Sequence, residues 1–374
     1  EDGIRDIGVT GVQTCALPIF IRFTMSAFET RIPRDFAVEL GQEAVRISLA
    51  GKYPGPAGTV DIEGQVASAK QRSAYYPPDH PHETPRKGPH ASCFEVTNET
   101  TLSAHRRHQA KGYNVVSLNF TSATHPGGGF LTGARAQEEY LCRSSALYLT
   151  LRDWPMYDYH RAKRGCLYSD AMIYSPDVPV FRDDEHALLS SPYLASFITS
   201  AAPLAKHLDF HEIHQLRNVL TSRIRKILAV AQTHGHDSLV LGAWGCGAFG
   251  NNGNLMADLF HHALTEDFGG AFREITFAIA DTSPDERFIT PFRRRLGPKA
   301  IGIKIPSNPL ELHDVIRRTN TLLKKHLRLK NDPHPDTYFE QDLKVIFQTQ
   351  EHLIDRKSTR LNSSHANISY AVFC

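Results

Sequence analysis

Two adjacent carboxylates, Glu138 and Glu139, stand directly after Gln137, with seven residues separating that triplet from three consecutive glycines, Gly127, Gly128 and Gly129. A carboxyl group can deliver a proton to a leaving oxygen and take one back from water. Glycines leave backbone N–H groups bare and let the chain approach a ligand closely. A helix opening beside them adds free N–H groups and the positive end of a dipole, suited to phosphate or a polarised oxygen. Two acids in that first turn argue against a pure phosphate cradle, so they are expected to face a sugar or a reacting bond. Gln-Glu-Glu alone is also the ordinary composition of a solvated helix start. Neighbouring helical residues project about 100° apart. The two acids therefore cannot flank a bond like the facing pair of most glycosidases, and one must do the proton work while the other orients hydroxyls.

A second glycine cluster, Gly245-Cys246-Gly247-Ala248-Phe249-Gly250 followed by Asn251, offers bare N–H groups for a diphosphate. It is formally G-x-G-x-x-G between a strand and a helix, the outline of a dinucleotide fingerprint. It comes late in the chain, and Asp281, which ends the next expected strand, lies about 30 residues on rather than about 20. Phe249 either fills the groove between loop and helix or packs against a sugar. Cys246 has no His or Asn placed beside it and reads as a small buried thiol.

The elements that must hold these residues follow from periodicity. Residues 115–118 are an apolar run ending at Asn119, which reads as a buried strand. Residues 92–96 and 97–110 supply a strand and a helix before it, and 33–49 an amphipathic helix earlier still. Further strands are expected at 171–174, 178–181, 193–199, 237–243 and 275–280, and helices at 208–232 and 254–268. Residues 153–169 look irregular and surface-bound. The rhythm is that of an α/β sheet with helices on its faces, whose ligands bind beyond the carboxyl ends of strands. Beyond 285, helices at 310–329 and 342–353 form a C-terminal extension, or a basic surface through Lys324, Lys325, Arg328 and Lys330.

The whole chain of 374 residues carries Lys+Arg 42 against Asp+Glu 40, a net charge of +2. That near balance is no general footprint for nucleic acid, so direct nucleic-acid binding is not expected. No apolar run approaches a membrane span. The six cysteines fit neither a zinc site nor a disulfide framework, which favours a reducing, intracellular setting, cytoplasmic or nuclear. His80, His82 and His90 sit in a proline-rich loop. His207, His211 and His214 share a helix face, but HEIH lacks the zinc-protease spacing, so no metal is expected. Residues 1–24 and 356–374 read as non-native, adaptor-like ends around a start at Met25.

The pattern of strand, Asn119, glycine triplet and Gln137-Glu138-Glu139 resembles the signature of the microbial-type poly(ADP-ribose) glycohydrolases. The likeness continues through residues 172–184 and 239–252, covering about 34–281. It implies a macrodomain-like mixed sheet between helices, with an N-terminal extension and first elements over 25–110, a catalytic core over 111–285 and a C-terminal helical extension over 286–355. It also implies hydrolysis of ribose–ribose bonds in poly(ADP-ribose) or on ADP-ribosylated proteins, release of ADP-ribose, no cofactor, and a part in the response to DNA damage. By correspondence Glu139 is the acid and base and Glu138 the positioning group. Asn119, Gly127, Gly128, Gly129, Gln137, Gly245, Cys246, Gly247, Ala248, Phe249, Gly250 and Asn251 would bind the substrate. A non-catalytic ADP-ribose reader, a hydrolase of mono-ADP-ribosyl links and a dinucleotide-dependent oxidoreductase remain the alternatives.

Overall fold

The computed structural model describes residues 32–81, 84–163 and 165–297. The expectations for both chain ends, for helices at 310–329 and 342–353 and for His82 fall outside the described residues. Pro33 opens the first helix, α1 (Arg34–Ala50), and Gly51 ends it in the left-handed conformation at φ 64°. A hairpin of β1 (Lys52–Gly55) and β2 (Gly58–Asp61) follows, then α2 (Glu63–Arg72) and β3 (Ala74–Tyr76). β4 (Cys93–Thr97), α3 (Thr101–Ala110) and β5 (Val115–Phe120) lead to α4 (Gln137–Ser144). α5 (Leu147–Leu151), α6 (Met156–Ala162), β6 (Met172–Arg182) and β7 (Leu188–Ser200) come next. α7 (Phe210–Thr233), β8 (Ser238–Leu241), α8 (Gly253–His262), β9 (Glu274–Ala278) and α9 (Thr290–Leu296) complete the order.

Seven strands form one mixed sheet in the order β3-β6-β7-β5-β8-β9-β4. β3, β6 and β7 pair antiparallel, whereas β7, β5, β8, β9 and β4 run parallel. Alternation along the strands feeds two apolar layers. Val116, Leu118, Leu239, Leu241, Ile275 and Phe277 pack under α7, α8 and α9. Ile173, Val178, Val180 and Phe197 pack against α1, α2, α4 and α5 on the other face. This is the macrodomain-like sandwich that the sequence pattern implies.

Two expectations are corrected. Residues 171–174 and 178–181 are not separate strands but parts of β6, which continues through Pro176 and Pro179 with a register shift between Ser175 and Val178. Beyond that bulge β7 is the one named strand paired with β6, and the other edge of β6 meets a single bridge between Val180 and Ser145, so the missing proline N–H groups interrupt no ladder there. Residues 153–169 are not all surface either. They contain α6, which buries Met156, Tyr157 and His160 at helical spacing.

Four imidazoles are built into the interior as neutral groups. His105 meets Ser117 Oγ at 2.9 Å, and His108 lies between Ser238 Oγ (2.6 Å) and Thr276 Oγ1 (2.8 Å). His160 meets Ala123 O at 3.0 Å and Ser169 Oγ at 2.6 Å, and His236 meets Tyr174 Oη at 2.9 Å. Burial pushes His105 down to about 3 and His108, His160 and His236 each down to about 4. Below pH 6.5 the unfolded chain takes up protons that the folded chain refuses, so stability falls as the pH drops from about 6.5 to about 4. Each group can contribute up to roughly 3 kcal/mol, against a typical total of about 5–15 kcal/mol. The melting temperature is therefore expected to drop steeply between pH 6.5 and 4.5 in a calorimetric series. A flat profile over that window would contradict this account of the buried imidazoles.

Candidate active site

The parallel strands end at one cleft. Thr121 and Ser122 beyond β5, Ala243 beyond β8, Ala278 and Ala280 at and beyond β9, Glu99 beyond β4 and Ala202 beyond β7 all line it, as ligand sites in such sheets require. Its volume is about 340 Å³. Gln137, Glu138 and Glu139 line it, as do Gly245, Gly247, Ala248 and Phe249.

α4 is short and almost wholly buried, from Glu138 to Ser144. Its first turn is joined to the end of β5 by one carboxamide. Gln137 Oε1 accepts the Phe120 N–H at 2.9 Å, and Gln137 Nε2 donates to Leu118 O at 2.8 Å and Thr101 Oγ1 at 3.0 Å. Gln137 thus ties strand to helix, which its place in the sequence does not disclose, while still lining the cleft.

The glycine triplet departs from expectation. Its N–H groups point at the protein's own carboxylates. Gly127 N–H donates to Glu138 Oε1 at 3.1 Å, and Gly129 N–H to Glu139 Oε1 at 2.9 Å. Gly128 N–H bonds to His125 O at 3.0 Å. Glycine is required at 127 and 128, where φ is +72° and +58°. At Gly128 a Cβ would overlap Glu139 Oε1 and lie 3.2 Å from Glu138 Oε2. Behind the loop, α1 approaches so closely at Gly41 that a Cβ there would lie 2.7 Å from Phe130 O.

The two acids differ in how they are held. Glu138, 2% exposed, accepts from Thr121 Oγ1 (2.6 Å) and Ser122 N–H (2.6 Å) as well as Gly127. Burial pushes its carboxyl up to about 8; the bonds from Thr121 and Ser122 oppose this, and the neighbouring Glu139 charge adds to it. Its linkage to stability has the opposite sign to that of the histidines, since it binds a proton more tightly folded than unfolded. Glu139 has two backbone donors, Gly129 N–H and Ala136 N–H at 3.0 Å, the latter also capping α4. Tyr157 lies beneath, its hydroxyl 3.4 Å from Thr121 Oγ1.

The second glycine loop is shaped from inside. Asn251 is buried, and its Nδ2 donates to Pro203 O at 2.8 Å and Gly245 O at 3.1 Å. Gly245 and Gly250 take φ of +71° and +73°. Cys246 is buried with Sγ 3.7 Å from Trp244 O, and burial pushes its thiol up to about 12. Neither Asn251 nor Cys246 lines the cleft, so as side chains they shape the loop rather than meet a ligand. Gly247 is exposed, and a Cβ there would meet nothing within 4 Å. Asn119 is buried at the end of β5, donating to Thr199 Oγ1 at 3.2 Å.

Sequence reasoning missed Phe288, which lines the cleft beyond β9. Asp281 places it. Its Oδ2 accepts the N–H groups of Phe288 (2.8 Å) and Ile289 (3.0 Å), and its Oδ1 accepts that of Ser283. Burial alone would raise this carboxyl, but these bonds hold it below the usual carboxylate range. An acid so committed folds the chain back and is unsuited to binding a ribose. Among the described residues no group of three or more His, Cys, Asp or Glu is disposed to hold a metal. His207, His211 and His214 are exposed on α7 and its approach.

Residues 41–183 match the family described as the microbial-type PARG catalytic domain. Among solved structures, poly(ADP-ribose) glycohydrolase from Thermomonospora curvata bound to the inhibitor ADP-HPD is 42% identical, with a TM-score of 0.65. The match covers 70% of this chain and 99% of that one. Poly(ADP-ribose) glycohydrolase from Deinococcus radiodurans in complex with ADP-ribose is 40% identical over 63% of this chain and 98% of that one, with a TM-score of 0.60. No curated protein sequence matches the chain.

Proposed function

The chain belongs to the microbial-type poly(ADP-ribose) glycohydrolases, and we propose that it releases ADP-ribose from the polymer by acid–base chemistry at Glu139. It is a glycosidase that hydrolyses poly(ADP-ribose) and binds ADP-ribose. The observation that carries the assignment of roles is the unequal anchoring of the two acids. Glu138 is fixed by three donors spread over both its oxygens, which suits it to orienting ribose hydroxyls. Glu139 is held by two backbone N–H groups and keeps an edge toward the cleft.

Burial, with a smaller contribution from the neighbouring Glu139 charge, keeps Glu138 protonated near neutral pH, so the pair has a proton to give. That proton is available to Glu139, which lines the cleft beside Glu138. Glu139 then protonates the bridging oxygen as the C–O bond breaks. The sugar becomes oxocarbenium-like, water adds to it, and Glu139 takes the proton from that water. The diphosphate is held by the Gly245–Gly250 loop, and Phe249 packs against the distal ribose. Among the described residues no helix is long and apolar enough to cross a membrane. The spacing of the six cysteines, which fits no disulfide framework, supports an intracellular site of action.

The direct test incubates the purified protein with poly(ADP-ribose) and measures free ADP-ribose. Turnover supports the reading, whereas binding without release would make the protein a reader. Gly247→Leu isolates the diphosphate loop. Its Cβ points into open space at an ordinary backbone angle, so the fold should be untouched while the side chain occupies the cleft. ADP-ribose affinity is expected to fall by at least about 10-fold, or 1.4 kcal/mol, at an unchanged melting temperature. Equal affinity by calorimetry would remove this loop from the binding site.

A further inference from the structure

The cleft leaves one group of residues without a task, at the start of α7. Phe210 is 74% exposed and Ile213 49% exposed, although most large apolar side chains of the described residues are covered. The Phe210 ring is met edge-on by His211 and His214, with centroids 6.0 and 4.8 Å away. Lys206, His207 and Arg217 are exposed around them. The acids nearby are turned to the backbone. Asp209 Oδ1 accepts the Glu212 N–H at 2.8 Å, and Glu212 Oε1 accepts the Cys166 N–H at 2.8 Å. An exposed ring set among ammonium, guanidinium and imidazole donors is the composition that binds single strands, by base stacking and phosphate contacts.

The patch is continuous with the cleft wall. Lys206 N–H donates to Phe249 O at 3.2 Å, and the Lys206 side chain packs over Gly250. Glu212 anchors the segment at Cys166, and two residues on the Tyr168 ring lies 6.4 Å from that of Phe249. A polymer whose terminal unit fills the cleft thus passes within reach of α7. That polymer carries one adenine and two phosphates in every repeat, which match the ring and the cations.

We propose that the exposed face of Phe210, Ile213, His214 and Arg217, with Lys206, binds the stretch of poly(ADP-ribose) lying outside the cleft. Phe210 stacks an adenine, and Lys206, His214 and Arg217 hold phosphate oxygens. This rests on the glycohydrolase reading, and it makes the enzyme favour long chains over short ones. Phe210 and His214 are surface residues, so the double variant Phe210→Ala/His214→Ala should fold as the parent does.

The experiment measures KM and kcat of parent and double variant on long polymer, together with affinity for free ADP-ribose. KM for long polymer is expected to rise about 5- to 10-fold, at the lower end of a lost base-stacking contact, with ADP-ribose affinity unchanged. Phe210→Trp should restore a low KM. An unchanged KM for long polymer would overturn the proposal. So would an equal loss of ADP-ribose affinity, which would mean the patch acts through the glycine loop. Sedimentation of the parent as a dimer that the double variant dissociates would assign the face to a second copy and also overturn it. A parent that releases no ADP-ribose would instead defeat the glycohydrolase reading itself.

Discussion

Glutamine in place of Glu139 is expected to lower ADP-ribose release from polymer by about 10²–10⁴-fold, the usual contribution of general acid–base catalysis. Shape is preserved, but hydrogen bonding is not. Both carboxylate oxygens accept backbone N–H groups, from Gly129 and from Ala136. An amide must turn its NH2 toward one of them, leaving two donors opposed at a cost of about 1–3 kcal/mol. The variant should therefore melt somewhat lower as well as react slowly. Affinity for free ADP-ribose should change far less than turnover, since the proposed diphosphate site is the Gly245–Gly250 loop and not Glu139. Glu138→Gln faces the same conflict with Ser122 and Gly127 and should be destabilised too. Near-parental turnover by a folded Glu139→Gln protein would end the mechanism proposed here.

The second large effect is expected at a residue with no functional group. Gly128→Ala meets two obstacles. Its φ of +58° costs an L-residue about 1–2 kcal/mol, and its Cβ would occupy the place of Glu139 Oε1. The carboxylate must move or the loop must open, and either breaks the alignment of acid and ribose. Misplacement by about 1 Å can lower a rate by about 10²-fold. Gly247→Leu should spare kcat on whatever substrate still binds, whereas Gly128→Ala should spare ADP-ribose affinity and lose kcat. A single-turnover assay at saturating polymer separates the two. Full activity in Gly128→Ala would show that Glu139 does not need this placement.

Much of this site was legible in the sequence because its parts are contiguous. The run into Asn119, the triplet at 127–129, Gln137-Glu138-Glu139 and the 245–250 loop each lie within one strand–loop–helix unit. What the glycines do was not legible. Bare N–H groups suggest an external anion, and nothing local says that Gly127 and Gly129 serve carboxylates ten or so residues later in their own chain. The structural part that Gln137 plays is hidden for the same reason, since its partners at Leu118, Phe120 and Thr101 are tertiary. β6 was divided because Pro176 reads as a break, and only the neighbouring strands reveal a bulge. The helix at Met156–Ala162 was hidden by its tyrosines and arginines, and Phe288 by an approach that Asp281 bends through long-range bonds.

The donors that fix Glu139 are both main-chain groups, and so are two of the three that fix Glu138. Every amino acid except proline supplies a main-chain N–H, so mutation has little purchase on these donors. An inhibitor that fills the space against these carboxylates therefore meets a surface that single substitutions cannot retune without deforming the loop. Escape from such a compound has to come from the side chains at the rim, Phe249 and Phe288, where variants should be sought first when resistance is selected.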